Sequence, residues 1–142
     1  MGRNSAGASF LKGYFLHGTP ENFWVYTNTE NKAKMFVDFL CRNSSRKDAQ
    51  YIPLTGTAGL KSPGNLFYPG PDFIKLAWQR RLFGEYAWSI CGITHTTSSA
   101  IVMDAIGEYY TAPIKSWDAL ICTSESVKKN VEYILERKKN YL

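Results

Sequence analysis

Neither a disulfide framework nor a zinc site is written into this chain. Its three cysteines, Cys41, Cys91 and Cys122, stand far apart, each within an apolar run. Paired or metal-binding cysteines keep short recurrent spacings, whereas isolated ones in apolar context read as buried thiols. A reducing, cytoplasmic setting is therefore expected, with no metal. Long hydrophobic runs are also lacking. No stretch approaches the roughly 18 apolar residues of a membrane span, and residues 1–7 lack the apolar stretch of a secretory leader. A soluble chain with at most peripheral membrane contact is the expectation. Myristoylation is excluded as well, since Ala6 stands where the pattern starting at Gly2 needs Ser or Thr. With no internal repeat, low-complexity tract or linker, the 142 residues are expected to form one domain.

What is present is ample core material. The sequence is 44% hydrophobic and 15% aromatic, which argues against disorder. The net charge of +5 fits a nucleic acid, an anionic membrane or a phosphorylated substrate equally, so charge selects no partner. A nucleic-acid partner is not expected, because no recognised motif or basic-aromatic interleaving accompanies the charge. Much of the excess sits at Lys128, Lys129, Arg137, Lys138 and Lys139, where a solvated helix face that complements the helix dipole explains it.

Helix and strand signals alternate along the chain. Residues 5–16 carry Phe10, Leu11, Tyr14 and Phe15 on one helical stripe, entered from a glycine-bearing loop and stopped by Gly18 and Pro20. Residues 23–27 form a short aromatic and β-branched strand. Thr29 can cap a helix in which Ala33, Phe36, Val37, Leu40 and Cys41 share a face. A brief strand at 51–54 leads into a Gly- and Pro-rich loop, 55–72, long enough to suggest function. A helix over 73–83, with Lys75, Gln79 and Arg80 as its more polar positions, closes at Gly84. A strand follows at 87–93. Ser98 or Ser99 caps the next helix, which runs to about Tyr110. The last unit is a strand at 119–122, a turn at Thr123 and Ser124, and a helix over 125–139 with Val127, Val131, Ile134 and Leu135 on its apolar face. Short apolar strands alternating with longer helices predict an α/β fold: a Rossmann-like parallel sheet flanked by helices. The strand that should precede the first helix is missing from this pattern, so the domain is expected to be incomplete and to self-associate through an open edge.

Three segments could carry chemistry. Residues 2–8 form a glycine-containing turn whose N–H groups, around Gly7, could face an anion at a helix N-terminus; its spacing is neither a dinucleotide fingerprint nor a Walker loop, and a plain helix entry also explains it. Residues 92–99 pass from a buried strand through a polar cluster into a helix, at the strand end where open α/β sheets place ligands. There His95 could hydrogen-bond a substrate hydroxyl or stabilise developing negative charge, with Thr96, Thr97 and Ser98 adding hydroxyls and N–H groups; a helix cap and a backbone-satisfied histidine are the alternative. Residues 118–127 are explained by capping alone. Cys122 as nucleophile is disfavoured, because a buried thiol without a basic neighbour has a raised pKa.

Residues 88–97 (WSICGITHTT), 103–106 (MDAI), 111–113 (TAP) and 117–131 together resemble the N-terminal, acceptor-side domain of GT-B glycosyltransferases of the family 4-like group. Residues 2–11 resemble that domain's glycine loop and first helix. The resemblance implies transfer of a sugar from a nucleotide-sugar to an acceptor hydroxyl of a glycan or lipid, with no further cofactor. By position it implies that His95 approaches the donor sugar and that Gly7 approaches the donor phosphate across a cleft. The chain departs from the family in lacking the C-terminal donor domain with its E-x7-E glutamates, a spacing that Glu125, Glu132 and Glu136 do not reproduce. Without that domain nothing neutralises the departing nucleoside diphosphate. The isolated chain is therefore expected to be inactive, pairing with a donor domain in trans or acting instead as a non-catalytic binding module.

Overall fold

The computed structural model describes residues 2–95 and 97–142. The fold is α/β, and every strand pairing is parallel. The strands fall into a two-stranded and a three-stranded sheet instead of the one sheet expected, and the chain divides into compact units at residues 1–63 and 64–142.

In the first unit, helix α1 (Gly2–His17) leads to strand β1 (Trp24–Thr27), helix α2 (Glu30–Asn43) and strand β2 (Gln50–Pro53). Thr29 caps α2 as expected, its hydroxyl accepting from the Lys32 N–H at 3.3 Å. The α2 stripe turns inward at Ala33 and Leu40, while Cys41 is exposed, so the reading of all three cysteines as buried fails at Cys41 and holds only in part at Cys91 and Cys122, which are half-buried. Parallel strands need a crossover, and α2 supplies it, setting Tyr26 opposite Ile52. Phe15, Phe23 and Leu40 form the core with Leu11, Phe36 and Phe39 packed on it. The Phe15 ring meets Phe23 edge-on at 5.3 Å and Phe36 at 5.6 Å, the arrangement that the ring quadrupoles favour.

The long loop expected at 55–72 is largely ordered structure. A 3-10 segment, Leu54–Lys61, follows β2 directly and buries Thr57 and Leu60. The Thr57 hydroxyl donates to the Leu54 carbonyl at 2.9 Å, so the Tyr26 hydroxyl, also at 2.9 Å, is the donor to Thr57. The chain is thus committed to the first unit until Lys61. Only after Gly64, whose φ of 69° suits glycine, does strand β3 (Asn65–Tyr68) begin.

In the second unit β3 is followed by helix α3 (Ile74–Arg81), strand β4 (Ser89–Ile93), helix α4 (Ala100–Gly107) with a 3-10 turn at Glu108–Tyr110, strand β5 (Ala119–Ile121) and helix α5 (Glu125–Tyr141). The sheet order is β3-β4-β5, with Phe67 opposite Cys91 and Gly92 opposite Leu120. Central β4 reads as a buried strand, with Ile90 wholly buried. Ser124 caps α5 through the Val127 N–H, and Val131 turns to the core while Lys128, Lys129, Arg137 and Lys139 stay exposed.

Arg80 departs from its polar reading: its side chain is 1% exposed and that of Asp118 is 0% exposed. The guanidinium grips the carboxylate with both amino groups, at 2.5 and 2.8 Å, and also donates to the carbonyls of Trp88 and Pro113. The carboxylate accepts in addition from the N–H groups of Ile90 and Lys115, each at 2.8 Å. Arg80 follows Ile74 and Ala77 on the buried face of α3. Its planar fork matches a carboxylate, so α3 is fastened to β4 and to the start of β5.

Candidate functional site

The second unit places its surplus polar groups where β3 and β4 end. Beyond β3, the backbone of residues 69–71 is held one carbonyl at a time. The Pro69 oxygen lies 3.1 Å from His95 Nε2, the Gly70 oxygen accepts from the Ile93 N–H at 3.3 Å, and the Pro71 oxygen accepts from the Tyr109 hydroxyl. Tyr109 also leans on Phe73, ring centres 5.1 Å apart. Its burial, with a smaller contribution from the Asp72 charge, pushes the phenol well above its usual range.

Gly92 is what lets this wall approach β4. A Cβ at Gly92 would lie 2.5 Å from the Phe73 ring and 2.7 Å from the Gly70 oxygen, nearer than real contacts allow. Behind the crevice Thr94 is wholly buried. Its N–H donates to the Ile121 carbonyl at 2.9 Å, and its hydroxyl oxygen accepts from the Thr123 N–H at 3.2 Å. The C-terminal ends of β4 and β5 are tied together there, and His95 and residues 97–99 lie between β4 and α4.

Within that linker His95 is half-buried, Thr97 is half-buried and Ser98 is exposed; Thr96 lies outside the described residues. Ser99, rather than Ser98, caps α4, accepting from the Val102 N–H at 3.3 Å. His95, Thr97 and Ser98 therefore share one strand-to-helix junction. Gly7 lies in the first unit and is not in a loop. It sits inside α1, beyond the first four residues whose N–H groups a helix leaves unbonded, so the anion-cradling turn expected at 2–8 is replaced by helix. Single glycines cost a helix only about 1 kcal/mol each, too little to break one anchored by Leu11 and Phe15. Among the described residues, nothing lies close enough to Gly7 to require glycine.

The thiols of Cys91 and Cys122 are pushed up by burial, Cys122 also by the Glu132 charge, which keeps both protonated and poorly nucleophilic. Among the described residues, no group of three or more His, Cys, Asp and Glu side chains is placed to hold a metal ion, and no helix is long and apolar enough to cross a membrane. A separate open groove of about 620 Å³ runs between α4 and α5, lined by Met103, Asp104, Glu108, Tyr133, Arg137 and Lys138 among others, and by none of the candidate residues.

Sequence reasoning missed Tyr109 and the carbonyl wall at 69–71. The paired Pro69 and Pro71 around Gly70 signalled a turn, but not which carbonyls that turn would present. The chain matches no protein-family model, no curated protein sequence and no solved structure.

Proposed function

We propose that this chain is the acceptor-side, Rossmann-like portion of a glycosyltransferase of the GT-B, family 4-like kind, working in the cytoplasm on a glycan or lipid acceptor. The observation that supports the reading best is the junction after β4. In a parallel α/β sheet, ligands gather beyond the carboxyl ends of the strands, and here His95, Thr97 and Ser98 stand at such an end, between a backbone wall and the capped start of α4. Each sheet also has, by itself, the sequential parallel connectivity of one arm of a doubly wound sheet.

In this reading the chain contributes acceptor binding and the His95 side chain. A donor domain, in trans or in a larger assembly, contributes the nucleotide-sugar site and the charges that stabilise the leaving diphosphate. Self-association through an open sheet edge belongs to the same reading. Radiolabelled sugar transfer from a panel of nucleotide-sugars tests it: no turnover by the chain alone, transfer on adding a family 4-like donor domain, and loss of that transfer in His95→Ala. Turnover by the chain alone, or reconstituted transfer indifferent to His95, sinks it.

A non-catalytic binding module is the second reading, and the groove between α4 and α5 favours it, because that groove is separate from the candidate residues. Partner binding abolished by Tyr133→Ala but unaffected by His95→Ala would select it.

A further inference from the structure

The contact between His95 and Pro69 decides which ring nitrogen is left for chemistry. A backbone carbonyl oxygen only accepts hydrogen bonds, so the nitrogen 3.1 Å from the Pro69 oxygen, Nε2, must carry the proton. In a neutral imidazole the other nitrogen then holds the lone pair. We propose that the 69–71 backbone wall fixes His95 as its Nε2–H tautomer, and that Nδ1 is thereby the hydrogen-bond acceptor for a hydroxyl group of a polyhydroxyl ligand at the end of β4.

The wall is able to enforce this choice because it is itself held. The Gly70 N–H donates to the Tyr68 carbonyl at 2.8 Å, the Gly70 carbonyl accepts from Ile93, and Tyr109 holds the Pro71 carbonyl. Rotating the Pro69 oxygen away from the ring would disturb hydrogen bonds on both sides of it. Gly92 and Phe73 close the space behind the wall, so it cannot retreat into β4. His95 is half-buried, which leaves part of the ring reachable from solvent.

The consequence is a choice between two roles. With Nε2–H committed to the protein, the neutral ring has no donor left to stabilise negative charge on a ligand; it can only accept. A hydroxyl donates to Nδ1, and a step that deprotonates that hydroxyl would place its proton on Nδ1, giving an imidazolium that keeps the Pro69 bond. The ligand class, a sugar-like hydroxyl compound, rests on the glycosyl-transfer reading; the tautomer does not.

Two measurements on the full chain separate these layers. Long-range proton-nitrogen correlation spectra of the 15N-labelled protein, at a pH where the ring is neutral and with His95→Gln assigning the signals against His17, should show Nε2 protonated. A dominant Nδ1–H form, or a ring sampling both, overturns the assignment whatever the protein binds. Saturation-transfer NMR with methyl α-glucoside should then show binding that His95→Gln weakens roughly 3- to 10-fold, the size of one neutral hydrogen bond. The Gln amide can still reach the Pro69 oxygen but offers nothing at the Nδ1 position, so unchanged thermal stability with weakened binding is expected. Binding unaffected by His95→Gln overturns the acceptor role, and no binding by the wild-type chain overturns the sugar-like class while the spectra stand.

Discussion

The two units hold themselves together by different means. In the first, rings do the work: Phe15 meets Phe23 and Phe36 edge-on, and Leu40 is buried in the same apolar cluster. In the second, the largest of the fully buried side chains is a charge, Arg80, and its partner Asp118 also receives two backbone N–H groups. An apolar cluster tolerates a change of ring angle or a small loss of volume gradually. A buried bidentate pair with every acceptor occupied does not, because removing one partner strands the others in a medium that cannot solvate them. The second unit also carries the candidate site. Its wall is backbone held by hydrogen bonds from Ile93, His95 and Tyr109, which keep their geometry only while β3, β4 and the segments that follow β4 stay in place. The ion pair at the opposite ends of β4 and β5 is thus the fixture on which the site depends.

Breaking that fixture should have the largest effect. Asp118→Ala leaves a buried guanidinium unpaired and two N–H groups without acceptors, and we expect a loss of about 4–5 kcal/mol in urea unfolding, enough to unfold a marginal domain. Replacing both members by apolar residues often restores stability at an isolated pair. Here it should not, since Arg80→Met with Asp118→Leu still orphans the Ile90 and Lys115 N–H groups and the Trp88 and Pro113 carbonyls. A double variant as stable as wild type would show that the pair is an ordinary buried salt bridge. In the first unit, Phe15→Ala should cost about 3 kcal/mol by transfer and cavity terms, measured the same way. If the units unfold separately, each variant should lower only one of two transitions.

Much of this contrast could be read in advance from some residues and not from others. The helices α2 and α5 were legible because Thr29 and Ser124 announce their starts and the apolar positions recur at helical spacing. Strands β1, β4 and β5 were legible as short apolar runs. Strand β3 was not, since four residues between Pro63-Gly64 and Pro69-Gly70 are too few to outweigh the turn signals around them. The helical state of residues 2–8 was hidden for a similar reason: glycines drew the reading toward a loop, while the packing of Leu11 and Phe15 that carries the helix lies further along. Arg80 was legible only in combination, as a cation on the stripe of Ile74 and Ala77 with an aspartate waiting at the entrance to a distant strand. Of the site, the junction at His95 to Ser99 was visible from the sequence, but its wall was not, because a carbonyl has no side chain to betray it.

Alkaline titration should distinguish the units more gently. The Tyr109 phenol is raised above its ordinary value of 10.0 chiefly by burial, and the Tyr14 phenol in the first unit is raised by the same cause. Below pH 10 both tyrosines are protonated in folded and unfolded chains alike, and the full stability is present. As pH climbs past 10 the unfolded chain releases these protons first, so stability falls. The shift is the larger at Tyr109, so Tyr109→Phe should flatten the alkaline slope more than Tyr14→Phe. An equal flattening would mean that the Pro71 carbonyl and its surroundings hold Tyr109 no more firmly than the partly exposed site of Tyr14.

The smallest effect is expected at Trp88, where two terms oppose each other. The indole is 2% exposed and packs on Phe83 at 5.7 Å, yet among the described residues its Nε1–H has no hydrogen-bond partner. An unpaired buried donor costs about 1–3 kcal/mol. Trp88→Phe removes that penalty but also removes apolar atoms and leaves a cavity, a loss of similar size. The net change in urea unfolding should therefore lie within about 1 kcal/mol of zero, well below the loss at Asp118 although the two positions share the Arg80 hub. A loss of several kcal/mol would instead show that the indole N–H is satisfied in solution, and that the second unit relies on apolar packing as heavily as the first.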